Sequence, residues 1–362
     1  MRSAVRLPLA FSFHLLCLGG LLTCPFLSAA EVAAAEGVTQ EAWPEDLEAR
    51  EPVLETHHFT FYSHFGFNLY DALLTTATGQ LKDREDPLRS TECFADLGKS
   101  QRAGWEAAVD YFADTVAATS DFSTERFVLR SYLANLDIDF SAESQEYRRV
   151  SILLLRAAAP AYRTCRWPEQ DAANRRWIAE LGGRLSQHGD AIAGRITGWM
   201  GASWRQLPIP VDIVETVGWA GADTIGRPKT HIQMSSTNPG YQGYDALEMI
   251  FHEASHELLS GRSGPVAEMI REASEETGIE TPRSLWHGIL FVTAGEAARE
   301  VLEAAGEGPR QPYAEAQGVF RGHWQPLWQP LQDHWMPYLR GETSAAEALR
   351  RVLMALDEPS EG

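Results

Sequence analysis

Chemistry concentrates in one pentapeptide of this chain, His252-Glu253-Ala254-Ser255-His256. The stretch from Tyr244 to Phe251 runs into it without Gly or Pro, and Leu247, Ile250, Phe251, Ala254 and Leu258 recur at helical spacing, so the segment is expected to be an amphipathic helix. On a helix of about 3.6 residues per turn, His252 and His256 stand one turn apart on one face, where two neutral imidazoles can reach one zinc ion. Glu253 lies beside them and is placed to accept a proton from activated water rather than to ligate the metal.

Two histidines do not complete a catalytic zinc site, which usually has three protein ligands and an open position. The candidates downstream are Glu268, Glu272, Glu275, Glu276, His287, Glu296 and Glu300, with His231 upstream. Glu296 is the expected third ligand, because it sits on an apolar helix opened by Pro282-Arg283-Ser284, where a carboxylate needs a partner. Glu300, one turn on, is the expected outer acceptor for a ligating histidine. His287 stands nine residues before Glu296 (296 − 287), on the opposite face and about 13 Å away along the axis, so it cannot simply join Glu296. It either replaces Glu296, approaches the site from another side, or packs in the core.

The motif with its downstream Glu296-x-x-x-Glu300 resembles the gluzincin branch of the zincin metallopeptidases, over about residues 210 to 300. The resemblance implies His252, His256 and Glu296 as zinc ligands, Glu253 as general base and Glu300 behind them. It also implies a zincin-like small sheet whose edge strand, near Thr230 to Ser236, binds an extended peptide by backbone pairing. A Tyr or His that steadies the oxyanion is expected, and Tyr244, Tyr313 and His287 are the candidates. The spacing departs from the family's: 39 residues separate His256 from Glu296 (296 − 256 − 1), whereas Glu276, with 19 between (276 − 256 − 1), fits the shorter thermolysin-like spacing. Glu276 ranks below Glu296 because Glu272, Glu275, Glu276 and Glu280 look like the solvated face of a short helix.

The elements that must position these residues read as an α+β fold, mainly helical. Trp105, Ala108, Val109, Phe112 and Val116, then Tyr147, Val150, Ile152, Leu153 and Leu155, recur at helical spacing, and a further helix is expected over about 174 to 185. Short β runs follow Pro208: Ile209 to Val214, Val217 with Trp219, and Thr230 to Ser235. The segment from Tyr313 through Phe320, Trp324, Trp328, Trp335 and Tyr338 to Leu349 reads as aromatic helices that close over the site. The expected organisation is a leader over 1–30, a flexible lead-in over 31–56, a mainly helical N-terminal lobe over 57–206 and a zincin-like catalytic region over 207–362.

Arg2 and Arg6 precede an apolar run and then Ser28-Ala29-Ala30, the order of a secretory signal peptide. A lipoprotein anchor at Cys24 is disfavoured by the size of Thr23. Export to the periplasm or beyond leaves Cys93 and Cys165, two cysteines expected to pair in an oxidising compartment. Net charge is −19 for the whole chain, or −21 without the two leader arginines (−19 − 2), a surface that repels nucleic acid and anionic lipid. No membrane span is expected after leader removal, and the sequence leaves the oligomeric state open. Three functions remain: a zinc metallopeptidase, a zinc hydrolase of a non-peptide amide, or an exported protein in which zinc is held without turnover or not at all.

Overall fold

A computed structural model describes residues 50–357, apart from 121, 122, 137, 219, 226–228 and 260–263, all within one compact unit, Ala42–Gly362. The expected leader and most of the expected lead-in lie outside the described residues. The lead-in ends sooner than its composition suggests, because Pro52–Glu55 is already a strand.

The sheet is small and mixed. Its strands are β1 (Pro52–Glu55), β2 (Phe59–Tyr62), β3 (Ile209–Val214), β4 (Ala222–Ile225) and β5 (His231–Ser235), in the spatial order β1-β2-β3-β5-β4. The central pairs β2–β3 and β3–β5 are parallel and the outer two antiparallel. Of Val217 and Trp219, expected to be extended, Val217 lies outside any strand and Trp219 outside the described residues, and the strand forms at Ala222–Ile225. This correction matters, because β4 is an edge and β5 is interior.

Alternation along the strands gives the sheet two different buried faces. Phe59, Phe61, Ile209, Val211, Ile213, Ile232 and Met234 belong to one apolar core with the site helix. The opposite face carries Asp212, His231 and Gln233, all fully or almost fully buried. Buried polar groups need partners: Arg50 holds Asp212, which accepts from His231 Nε2 at 2.7 Å, while Arg130 donates to Gln233 Oε1 at 2.8 Å and to Asp223, and Asp212 Oδ1 and His231 Nδ1 are left without a hydrogen bond. Burial alone would push Asp212 up, but Arg50 and His231 hold its carboxyl below the usual range.

Among the described residues nine longer helices surround the sheet: α1 (Phe65–Gln80), α2 (Lys99–Phe112), α3 (Thr124–Leu133), α4 (Ala142–Cys165), α5 (Trp167–Met200), α6 (Gly243–Ser255), α7 (Pro265–Thr277), α8 (Leu285–Ala304) and α9 (Ala345–Asp357). The helix expected near 174 to 185 is the middle of α5, which runs 34 residues and stops where Gly201 takes the left-handed conformation at φ 61°. Two apolar cores form. One gathers α1 to α4 with Val214 and Val217; the other gathers β1, β2, α5 and everything from β3 onward. The expected lobe boundary at 206 therefore does not follow the packing, since α5 and the first two strands belong with the C-terminal core. No described helix is long and apolar enough to cross a membrane.

Cys93 and Cys165 are bonded, tying the short helix Glu92–Asp96 to the end of α4 across 72 positions of sequence. A cross-link closing a loop of that size stabilises the fold by about 4 kcal/mol in the chain-entropy account. Both cysteines should therefore resist alkylation until reductant is added, read by peptide mass mapping, and Cys93→Ser/Cys165→Ser should unfold at distinctly lower temperature. Ready alkylation of the unreduced, folded protein would contradict the bond.

Candidate functional site

Helix α6 forms as its pattern requires: from Ala246 to Ser255 every residue is buried, and its core-facing side chains Leu247, Ile250, Phe251 and Ala254 pack beneath the sheet. Its C-terminal carbonyls need partners. Trp204 Nε1 donates to the Ala254 carbonyl at 2.9 Å, and His256, just past the last helical residue, stays in helical conformation with its N–H on the Glu253 carbonyl. His252 and His256 thus project one turn apart, as expected, with ring centroids 5.1 Å apart.

The third group comes from α8. That helix is buried nearly all round, from Gly288 to Ala298, as a helix with no polar face must be. Its approach to α6 is close: a Cβ on Gly295 would stand 3.1 Å from Glu248 Oε1 and 2.8 Å from Pro312 Cβ. Phe291 stacks on the His252 ring at 3.9 Å between centroids. One turn earlier on the same face, His287 brings its Nε2 to 3.1 Å from His252 Nε2, and its ring centroid lies 4.9 Å from that of His256. One ligating atom from each of the three histidines lies within 4.8 Å of the others.

Aromatic rings wall this cluster, in which His252 is buried and His256 and His287 are half-buried. Trp286 stacks on His287 at 4.9 Å, Trp324 meets it edge-on at 5.1 Å, and Trp286 meets His256 at 5.5 Å. Desolvation disfavours a charged imidazole. Burial, with the two neighbouring histidines, drives His252 well below its usual range; burial drives His256 down to about 4 and, with His256 beside it, His287 down to about 3. All three are neutral at physiological pH, the form that ligates a metal.

Glu253 is 6% exposed, with Oε2 3.9 Å from His256 Nε2 and accepting from the Thr224 hydroxyl at 2.6 Å. Burial pushes its carboxyl up to about 8, with Asp223 adding to the rise and Thr224 opposing it. Thr224 belongs to the edge strand β4, so the carboxylate is fixed directly against the sheet's open edge. Tyr241 and Tyr313 stand within electrostatic reach of Glu253, with rings 5.5 Å apart and hydroxyls bonded to each other. Tyr313 is anchored by Glu248, a fully buried carboxylate one turn before His252, which accepts from the Tyr313 backbone N–H at 2.9 and 3.0 Å.

Several sequence expectations are corrected. Glu296 is not among the residues grouped for a metal; its two oxygens hold Arg299 at 2.6 and 2.7 Å, which explains how a carboxylate survives at 2% exposure on an apolar helix. Glu300 faces Arg195 at 3.4 Å rather than a histidine, and Glu276 holds Arg350 at 2.8 Å. Tyr244, at the far end of α6 from His252, lies against His188 and Arg184. His231 is locked to Asp212, and β5 is flanked by β3 and β4, so Thr230 to Ser236 is no open edge. Sequence reasoning overlooked Thr224, Tyr241 and Glu248, none of which lies in a recognisable motif. His287 did carry a signal: with Phe291 it makes a four-residue spacing that sets both rings on one face.

No family model matches this chain, and no curated protein or solved structure is significantly similar to it.

The geometry predicts that His287→Ala weakens metal binding at least about 100-fold, more than loss of an outer hydrogen-bond partner would. Glu296→Gln should leave metal content unchanged while lowering stability by about 1–3 kcal/mol, the range for disturbing a buried charged hydrogen bond. Metal titration alongside chemical denaturation separates the two effects; a metal-depleted Glu296→Gln with intact His287→Ala binding reverses the assignment.

Proposed function

We propose that this chain is a zinc-dependent hydrolase of peptide bonds, with His252, His256 and His287 as the metal ligands and Glu253 as the general base. The observation that carries this reading is the convergence of three neutral imidazoles beside a buried carboxylate. The donor set fits zinc, which takes three histidines readily. The 3.1 Å between His252 Nε2 and His287 Nε2 is also near the roughly 3.3 Å that tetrahedral coordination asks of two ligating nitrogens. Bound there, zinc supplies a Lewis acid that acidifies water and polarises a carbonyl.

The chain's own residues do the rest. Glu253, adjacent to His256 and steadied by Thr224, accepts the proton of the attacking water and returns it to the leaving amine. A cation beside Glu253 favours its ionised form, countering the burial that raises it. Strand β4 offers an unpaired edge next to Glu253, and an extended peptide pairing with it would lie across the cluster. In this reading Tyr313, which feels the Glu253 carboxylate and bonds Tyr241, is the hydroxyl that steadies charge on the carbonyl oxygen. The aromatic rings beside the cluster reduce its contact with water and so strengthen these interactions.

The resemblance to zincins rests on the His252-Glu253-x-x-His256 helix beside a small sheet with an antiparallel edge strand. The gluzincin assignment within that group gives way to a third histidine ligand, with 30 residues between it and His256 (287 − 256 − 1). The Cys93–Cys165 bond supports an oxidising compartment, in keeping with the leader-like N-terminus.

Zinc-loaded protein should cleave an unstructured polypeptide, and chelation should abolish the cleavage. Glu253→Gln should retain the metal and lose at least about 100-fold in rate, the usual contribution of a general base. Tyr313→Phe should lower kcat by about 100-fold or more with little change in KM, as loss of an oxyanion donor does. Full peptide hydrolysis by Glu253→Gln sinks the reading, and turnover of small amides without peptides redirects it to the other hydrolase class.

A further inference from the structure

A second convergence of ligating atoms lies apart from the three histidines. His57 and His58 occupy the bend between β1 and β2, and Asp190 reaches them from α5. Adjacent side chains of an extended chain point to opposite faces. Here the backbone turns, with the Thr56 N–H on the Phe59 carbonyl at 2.8 Å and the Phe59 N–H on Thr56 Oγ1 at 3.0 Å. The bend stacks the two imidazoles 4.4 Å apart, 30° between planes. Both then present a nitrogen to the same carboxylate oxygen: His57 Nδ1 is 3.0 Å and His58 Nε2 2.8 Å from Asp190 Oδ1.

We propose that His57, His58 and Asp190 form a second metal site, for a divalent ion of the zinc or copper class. Two imidazoles and a carboxylate are the donor set such ions prefer over calcium or magnesium. The three ligating atoms lie within 4.8 Å of one another. Asp190 adds a carboxylate to the two imidazole nitrogens, a donor charge that a cation complements. The ligands come from rigid elements: His58 is wedged among Phe59, Phe251 and Trp204, with ring centroids 6.0 to 6.2 Å away, and Asp190 stands on a 34-residue helix. The side chains of His57 and Asp190 are 72% and 80% exposed, so water can fill the remaining coordination positions and the ion has a path in.

An ion here would staple the start of the fold to α5. It would also bear on the proposed catalytic helix, because Phe251 directly precedes His252 and Trp204 bonds the Ala254 carbonyl. The role is structural: the ion would join the β1–β2 bend to α5.

Equilibrium dialysis of the folded protein against zinc chloride, with bound metal counted by mass spectrometry, tests the site. His57→Ala and Asp190→Asn change exposed side chains and should each bind one equivalent fewer than wild type. A His252→Ala/His256→Ala variant should keep one equivalent, and adding Asp190→Asn to it should remove that one. If His57→Ala and Asp190→Asn bind as much zinc as wild type, the second site does not exist. If wild type holds one equivalent that disappears with Asp190→Asn alone, this site stands and the proposed catalytic zinc falls, so the two failures are told apart.

Discussion

The contact on which the site depends is the packing of α8 against α6, centred on Phe291 lying 3.9 Å over His252. It fixes both the rotation and the axial register of α8, because a ring stacked between two helices tolerates little slip. That register puts His287 opposite His252 and His256 and points Glu296 away from them. Gly295 permits the approach, since a side chain there would strike Glu248 and Pro312. The same close approach lets Glu248 receive the Tyr313 backbone and set that tyrosine near Glu253. One helix pair therefore positions the histidines, a buried acid and a hydroxyl together.

Desolvation shapes the electrostatics throughout. Around the histidine cluster it lowers the three imidazoles and raises Glu253, so the cluster holds little charge of its own. On the sheet face opposite α6 the same desolvation is met differently, with arginines. Arg50 answers Asp212, and Arg130 bridges Gln233 and Asp223, the residue next to Thr224 on the edge strand. A buried cation of this kind stabilises little in net terms but imposes one arrangement, because separating it from its acid leaves an unpaired charge. Through Arg130 the edge strand is held where Thr224 meets Glu253.

Much of this was legible along the chain because it rests on local periodicity. The α6 helix and the spacing of His252 and His256 follow from the run 244–256 itself. The strands 209–214 and 231–235 follow from β-branched runs bounded by Pro and Gly, and the pairing of Cys93 with Cys165 from there being only those two beyond the leader-like segment. The aromatic segment after Tyr313 reads correctly as packing material, and Trp324 does reach the site. What the sequence misplaced was the strand near 217 to 225, where a four-residue edge strand with Asp and Thr lacks the apolar alternation that marks a strand.

The third member of the cluster was decided by tertiary structure alone. On sequence, Glu296 was the stronger ligand candidate, because a carboxylate on an apolar helix needs a partner; the partner proved to be Arg299, three residues away on the same helix. His287 and Glu296 face opposite sides of α8, and nothing local says which side meets α6. That choice belongs to Phe291, Gly295 and the core beyond them, which act across 35 residues of chain (287 − 252). The sequence by itself determined a helix bearing two histidines and a glutamate; only the packing of a second helix decided that a third histidine, and not Glu296, stands beside them.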